Sequence, residues 1–285
     1  MIEELARGKI NLALCIQNKR DDGYHEIDTV FQSISLADSV YIEEDDHLEL
    51  SCNWPELACD ETNLAYQAAV ILQRYCGVTQ GARISIHKRL PLAAGLAGGS
   101  SDAAAVLRGL NTCWQTELPL SVLTVLGAQV GSDVPFCLNG GTMRGGGRGE
   151  KLQVLPDFSG NWLLIVHPKI AVHTKIAYDA FDLADHVCPI DVDGMVTAVI
   201  AGGREGVINK LGNTFEELII PKVPEIRQCK LFLQDKGLRP LMSGSGPTVF
   251  AFIDNPQIGY ELQQEVEKKR YNWDVLVTKT VQREN

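Results

Sequence analysis

The sequence predicts a mixed α and β chain of two domains, and three observations lead there. With 285 residues and 45% hydrophobic content, the chain can bury a substantial core and is long enough for two modest domains. Segments that alternate with period two are interspersed with segments of helical spacing along its whole length. Polar turn chemistry at Pro156-Asp-Phe-Ser-Gly160, just ahead of a buried apolar run, marks the boundary and divides the chain into 1–156 and 157–285.

In the first part, residues 8–16 alternate and predict a strand, Asp21-Asp22-Gly23 predicts a turn, and Ile27–Ser35 and Val40–Glu44 predict two further strands. Leu48–Cys52 adds one more. Asn63–Tyr75 carries helical spacing, Arg83–His87 reads as a strand with Ile84 and Ile86 on one face, and a helix runs from Ser101 to about Leu110. Val122–Val130 is helical and stops at Gly131. Ser132-Asp133-Val134-Pro135-Phe136 then begins a new segment, because a proline ring bars an ordinary helix interior. Gly140-Gly141 and Gly145-Gly146-Gly147 flank Thr142–Arg144 and predict a hairpin leading to Lys151–Leu155. In the second part, Trp162–Val166 is a buried strand. Helical patterns stand near 174–183, 191–201, 213–220, 223–236 and 257–270, with strands near 241, 248–253 and 273–281.

Between the strand at Arg83–His87 and the helix from Ser101 lies Pro91-Leu-Ala-Ala-Gly-Leu-Ala-Gly-Gly-Ser-Ser-Asp102. Glycines let main-chain N–H groups come close to an anion. The first turn of the following helix adds donors that have no partner inside the helix, at the positive end of its dipole. The stretch points to phosphate. It is also compatible with a plain tight strand-to-helix connection, and Ser100 and Ser101 with plain N-caps. The spacing is neither Gly-x-x-x-x-Gly-Lys-Ser/Thr nor the Gly-x-Gly-x-x-Gly of dinucleotide folds.

A net charge of −10 argues against a large basic surface for nucleic acid or anionic lipid, while leaving room for a local basic pocket. Eight cysteines, without Cys-x-x-Cys or a zinc-spaced Cys/His cluster, read as reduced thiols. The first residues, among them Glu3, Glu4 and Arg7, form no signal-peptide apolar segment, and no run approaches 18 apolar residues. The expectation is a soluble cytoplasmic protein with a small phosphate-bearing partner, no nucleic-acid partner and no membrane partner. Its oligomeric state stays open.

Three segments stand far apart: Lys9-Ile-Asn-Leu12, Pro91–Asp102, and Leu241-Met-Ser-Gly-Ser-Gly-Pro-Thr-Val-Phe250. Their residues and order resemble the GHMP kinase superfamily, of galactokinase, homoserine kinase and mevalonate kinase type. Asp22-Gly-Tyr-His25, Lys88-Arg-Leu-Pro91, Gly131-Ser-Asp-Val-Pro-Phe136 and Arg148-Gly-Glu150 are most similar to the branch that phosphorylates a cytidine-diphosphate alcohol in non-mevalonate isoprenoid precursor synthesis. Ala97 stands where many members have glycine. The resemblance implies a two-lobed α+β GHMP kinase fold with the active site in the cleft between lobes. It also implies ATP and Mg2+ as cofactors, and transfer of phosphate to the 2-hydroxyl of a small cytidine diphosphate substrate.

Moving a phosphoryl group to an alcohol needs the hydroxyl aligned, the developing charge stabilised and a carboxylate to take the proton. The resemblance makes Asp133 that base, with the Lys9 ammonium beside it. Local sequence alone is also compatible with Asp133 as a cap before Pro135 and with Lys9 snorkelling to the surface. By resemblance, ATP lies against Asn63, Lys88, Pro91, Ala94, Gly95, Leu96, Ala97, Gly98, Gly99, Ser100 and Ser101, with Ser101 a candidate Mg2+ ligand. The substrate lies against Asn11, Tyr24, His25, Thr174 and Tyr178. Tyr24 stacks on cytosine, His25 bonds its edge, Tyr178 supplies the opposite face, and Thr174 and Asn11 reach the diphosphate or polyol. Ser243-Gly-Ser-Gly246 lines the cleft and supports the glycine loop, although a simple hairpin turn also accounts for it. Two other functions stay open: another small-molecule kinase of the superfamily, and a non-catalytic ligand sensor on the same fold. Asp22-Gly-Tyr-His25 speaks for cytidine, and the joint presence of Lys9 and Asp133 speaks for catalysis.

Overall fold

The computed structural model describes residues 1–283. The chain forms two compact units that interleave in sequence: the first comprises Met1–Gly8, Leu36–Leu90 and Ala97–Gly140, the second Lys9–Ser35, Pro91–Leu96 and the chain from Gly141 onward. The cause is the length of the first two strands. β1 (Ile2–Lys19) and β2 (His25–Asp45) each pass from one unit into the other without interruption, so the units do not follow the linear division at 156/157.

In the first unit, β3 (Leu48–Cys52) pairs in parallel with β4 (Gly81–His87), and β4 pairs antiparallel with Ser39–Asp45 of β2. Four helices complete it: α1 (Leu64–Cys76), α2 (Gly98–Cys113), α3 (Leu120–Val130) and α4 (Val134–Asn139). Its core gathers Val40, Ile42, Leu72, Ile84, Leu107 and Leu126. α2 contributes Ala103, Ala104 and Ala105, whose small side chains allow α1 and α2 to pack closely. Gly109 does the same against β2, since a Cβ there would fall 2.4 Å from Ile42 Cδ1.

In the second unit, Ala13 and Leu14 of β1 pair in parallel with β8 (Gly212–Asn213). Thr29–Gln32 of β2 pair antiparallel with β5 (Thr142–Gly146), which forms a hairpin with β6 (Lys151–Val154). A separate antiparallel sheet has the order β11 (Asp274–Lys279), β7 (Trp162–His167), β10 (Val249–Phe252), β9 (Leu241–Met242). The helices are α5 (Thr174–Asp182), α6 (Val192–Ala201), α7 (Arg204–Lys210), α8 (Phe215–Ile219), α9 (Pro224–Gln234) and α10 (Pro256–Lys268). This unit has its own core, where Leu164, Val166, Phe215, Ile226 and Leu233 meet Leu14, Ile16 and Ile27 of β1 and β2.

Most elements fall where periodicity predicts them, with five differences. The strand expected at 8–16 runs further at both ends, over Ile2–Lys19. The strands expected at Ile27–Ser35 and Val40–Glu44 are one strand, β2. α2 starts at Gly98, three residues before the expected Ser101, with Ala97 at the N-cap position, so neither Ser100 nor Ser101 is the cap. The segment holding Pro135 opens helix α4, with the proline in the first turn where its missing N–H costs nothing. α7 and the two-residue β8 carried no periodic signal. Among the described residues no helix is long and apolar enough to cross a membrane. All eight cysteines are free thiols.

Candidate active site

In the first unit, the glycine stretch ends in a left-handed turn at Ala97 (φ 58°, ψ 31°), from which α2 departs. The first bond of the helix runs from the Ser101 N–H to the Ala97 carbonyl at 2.8 Å. The N–H groups of Gly98, Gly99 and Ser100 precede it and have no acceptor within the helix, which gives an anion three main-chain donors at the positive end of a sixteen-residue helix. Ser101 itself faces inward. It is 1% exposed, and its hydroxyl lies 2.7 Å from the Arg7 carbonyl and 3.0 Å from that of Ala97.

Two other residues expected at the nucleotide are engaged in holding the unit together. Asn63 caps α1: its Oδ1 accepts the Ala65 N–H at 2.9 Å and its Nδ2 donates to the Ala58 carbonyl at 2.7 Å. The Lys88 ammonium, expected near the adenosine, is buried between the carboxylates of Asp38 and Asp102. Asp133 occupies the N-cap position of α4, yet its side chain makes no capping hydrogen bond and is partly exposed. Capping therefore does not account for an aspartate there.

In the second unit, Lys9 is 4% exposed, which excludes snorkelling. Its ammonium donates to Asn11 Oδ1 at 2.9 Å and lies 5.2 Å from the centre of the Phe31 ring. Asn11 in turn donates to Thr29 Oγ1 at 2.8 Å, and Thr29 donates to the Ala13 carbonyl at 2.6 Å. The Lys9 N–H donates to the Leu96 carbonyl at 3.1 Å, tying β1 to the glycine stretch. Asn11, expected against substrate, is thus buried and orients Lys9. Thr29 and Phe31 escaped the sequence reading because neither belongs to a motif and both lie in an ordinary alternating strand.

The turn Ser243–Gly246 packs on the same stretch. Ser243 Oγ donates to the Gly95 carbonyl at 3.0 Å, and a Cβ on Gly95 (φ +73°) would fall 2.2 Å from the Ser243 carbonyl oxygen. The buried Asn213 holds the turn from behind, donating to the carbonyls of Met242 and Gly244 at 2.7 and 2.8 Å. A free-standing hairpin would need neither contact. Thr174, at the start of α5, lies 3.1 Å from Ser245 through its hydroxyl.

The aromatic residues separate into two groups. Tyr24 is 52% exposed, its N–H held by Asp22 Oδ1 at 3.1 Å and its ring covered by the Arg148 guanidinium at 4.6 Å. Tyr178 instead stacks on His25, with ring centres 4.8 Å apart and planes 22° apart, and meets Phe215 edge-on. His25 thus covers one face of Tyr178. His25 Nε2 lies 2.6 Å from Asp182 Oδ1. Hydrogen bonds from Lys19 and then His25 hold the Asp182 carboxyl below the usual carboxylate range, so Nε2 is the donor and, in the neutral ring, Nδ1 is left as an acceptor.

With this geometry in hand, comparison with known proteins is decisive. A family model described as the GHMP kinases N terminal domain matches residues 63–141, and one described as GHMP kinases C terminal matches residues 195–272. A curated 4-diphosphocytidyl-2-C-methyl-D-erythritol kinase of Enterococcus faecalis is 42% identical over 89% of this chain and 90% of its own length. The chain belongs to the GHMP kinase family. Another relative of the same name, from Exiguobacterium sibiricum, is 43% identical over 88% of each chain. Among solved structures, this GHMP kinase is similar to a 4-(cytidine 5'-diphospho)-2C-methyl-D-erythritol kinase, at 31% identity and a TM-score of 0.80, covering 98% of this chain and 99% of that one. A homoserine kinase from Cytophaga hutchinsonii shares the fold at 17% identity and a TM-score of 0.75, over 99% of this chain and 95% of its own. The α+β GHMP kinase fold is thereby established, and the two family matches fall on either side of residue 157.

Proposed function

We propose that this GHMP kinase transfers the γ-phosphoryl group of ATP to the 2-hydroxyl of 4-diphosphocytidyl-2-C-methyl-D-erythritol, in the cytoplasm, as a step of non-mevalonate isoprenoid precursor synthesis. The observation that carries the substrate assignment is 42% identity, over 89% of the chain, to a kinase named for that compound. The exposed Tyr24 beside a carboxylate-held His25 supports it. A flat ring can stack on cytosine, and His25 Nδ1 is an acceptor suited to the exocyclic amine of that base.

In this reading the N–H groups of Gly98, Gly99 and Ser100 bind ATP phosphates, with Pro91 to Ala97 shaping the approach. Asp133 accepts the proton of the substrate hydroxyl. Lys9, held by Asn11, stabilises the charge that develops as the phosphoryl group moves. Among the described residues no group of three His, Cys, Asp or Glu side chains could hold a metal ion. Mg2+ would therefore rest mainly on the triphosphate, as that ion commonly does, and would neutralise phosphate charge. Within the first turn of α2, the partly exposed Ser100 suits it better than the inward-facing Ser101. The linear domains 1–156 and 157–285 remain our proposal for the family's two domains.

The test is phosphate transfer from ATP with the cytidine diphosphate substrate against homoserine, galactose and mevalonate. Preference for the cytidine compound is expected. A higher kcat/KM for any of the others would replace the substrate, and binding without turnover on all four would make the protein a sensor.

A further inference from the structure

Asp38, Lys88 and Asp102 come from three places in the first unit: the middle of β2, the residue after β4, and the first turns of α2. Their side chains are 0%, 1% and 3% exposed. Lys88 Nζ donates to Asp38 Oδ2 and, at 2.7 Å, to Asp102 Oδ2. The other Asp38 oxygen accepts the main-chain N–H groups of Arg89 at 2.5 Å and Leu90 at 2.7 Å. Nζ also lies 3.2 Å from the point where a Cβ on Gly98 would stand. The cluster thus grips the main chain where it enters the glycine stretch and again where it leaves.

The donors are shared unequally. Asp38 receives three N–H groups, Asp102 only the one from Lys88, and Asp102 Oδ1 is buried with no hydrogen-bond partner among the described residues. Asp38 is therefore the arm that holds the main chain directly, and Asp102 joins the start of α2 to it through Lys88.

We propose that Asp38, Lys88 and Asp102 are positioning residues of this kinase: a buried clasp that fixes both ends of the glycine stretch so that its N–H groups face phosphate. The inference deepens the reading of that stretch as the ATP site and rests on it. The three residues do not touch ATP in this account. They act through the backbone they hold.

The experiment measures three quantities for the full chain and for Asp38→Asn, Lys88→Met, Asp102→Ala and Asp102→Asn. These are affinity for a non-hydrolysable ATP analogue with Mg2+, KM for ATP against kcat, and amide hydrogen exchange over residues 89–100. Asp38→Asn sets an amide donor against either the main-chain N–H groups or the Lys88 ammonium, and Lys88→Met removes the shared cation. Each is expected to weaken the analogue by roughly 10-fold or more, to raise KM more than it lowers kcat, and to speed exchange in the loop. Asp102→Ala should loosen the loop, and Asp102→Asn should restore most of the affinity, since a neutral amide oxygen still accepts from Lys88. An Asp102→Asn protein as impaired as Asp38→Asn would overturn the proposal, as would parental loop exchange in Lys88→Met. Faster exchange with unchanged analogue affinity would uphold the clasp and reject the stretch as the ATP site. Should Asp38→Asn and Lys88→Met not fold, Asp102→Ala decides: exchange over residues 89–100 as slow as the parent's would sink the idea, and faster exchange that Asp102→Asn reverses would uphold it.

Discussion

A lysine near the start of a strand is ordinarily a surface residue, and Lys9 is not, because Asn11 and the Phe31 ring supply an acceptor and a π face inside the unit. That burial gives the charge its use. If Lys9 and Asp133 act on one transition state, Asp133→Asn should lower kcat by roughly 10²-fold or more with ATP affinity nearly intact. Lys9→Ala combined with Asp133→Asn should then cost far less than the product of the two single losses. Steady-state kinetics on the three folded variants read this out, and multiplicative losses would mean that the residues work independently. Asp102 yields a second expectation at this scale. Its carboxyl stands at about 7 in the fold against an ordinary 3.8, so the folded chain keeps a proton that the unfolded chain releases between those values. Stability from that proton is complete below about pH 4 and is lost as pH rises to about 7. The start of a helix favours an ionised carboxylate by about 0.3–1 kcal/mol, and Lys88 favours it too, but burial outweighs both. Denaturant unfolding from pH 4 to 8 should show Asp102→Asn gaining on the parent up to about pH 7 and keeping a constant advantage above it. A difference that does not vary with pH would place the proton elsewhere.

Among the elements, the glycine stretch shows what a motif reveals and what it conceals. Its composition suggested close backbone approach to an anion, and at Gly95 the structure shows close approach of protein backbone, with φ +73° and the Ser243 carbonyl where a Cβ would stand. The start of α2 was less legible, since two glycines at its head argue against helix and Ala97 has to turn left-handed to admit them. That conformation costs an alanine about 1–2 kcal/mol. Two substitutions in this one element should therefore have opposite signs. Gly95→Ala should destabilise the protein and weaken ATP binding, because the obstructing atom is backbone and cannot turn aside. Ala97→Gly should be neutral or stabilising by up to about 1 kcal/mol, the relief of strain being partly offset by a more flexible unfolded chain. Thermal unfolding of both variants is the measurement, and a harmless Gly95→Ala would mean that the turn at Ser243 does not press on the loop. β2 was misread for a related reason. Asp38 interrupts its alternation and looks like a solvent turn between two strands, whereas the Lys88 ammonium draws it into the interior. Ion pairing across 50 residues leaves no periodic trace. The residues proposed to read the base divide in the same way: Tyr24 lies on the surface after an Asp-Gly turn that the sequence shows, but the stacking of His25 on Tyr178 depends on where α5 docks.

At the scale of the whole molecule, the question is whether two cores make two folding units. Each core is internally complete, Val40, Leu72 and Leu107 in one and Leu164, Phe215 and Ile226 in the other. A chain divided at 156/157 could then melt in two steps. The strands argue otherwise. β1 leaves the first unit at Gly8 and belongs to the second from Lys9, while β2 is in the second unit up to Ser35 and in the first from Leu36. Both are single strands through those points, so loss of register in one unit frays the strands of the other, and neither core can dissolve while the other keeps its full complement of strand. We therefore expect one cooperative transition. The tryptophans supply independent reporters, since Trp54 and Trp114 lie in the first unit and Trp162 and Trp273 in the second. Trp114 is buried there, with its indole N–H on the Gly81 carbonyl at 3.1 Å, and Trp273 packs among Phe232 and Tyr271. Two variants, one retaining only Trp114 and one only Trp273, with phenylalanine at the other tryptophan positions, should be unfolded in urea and followed both by fluorescence and by far-UV circular dichroism. Within each variant the two probes should give the same midpoint and slope, as a two-state transition requires. A fluorescence midpoint displaced from the circular dichroism midpoint in either variant would show that the units melt separately, and that the shared strands do not bind them into one cooperative structure.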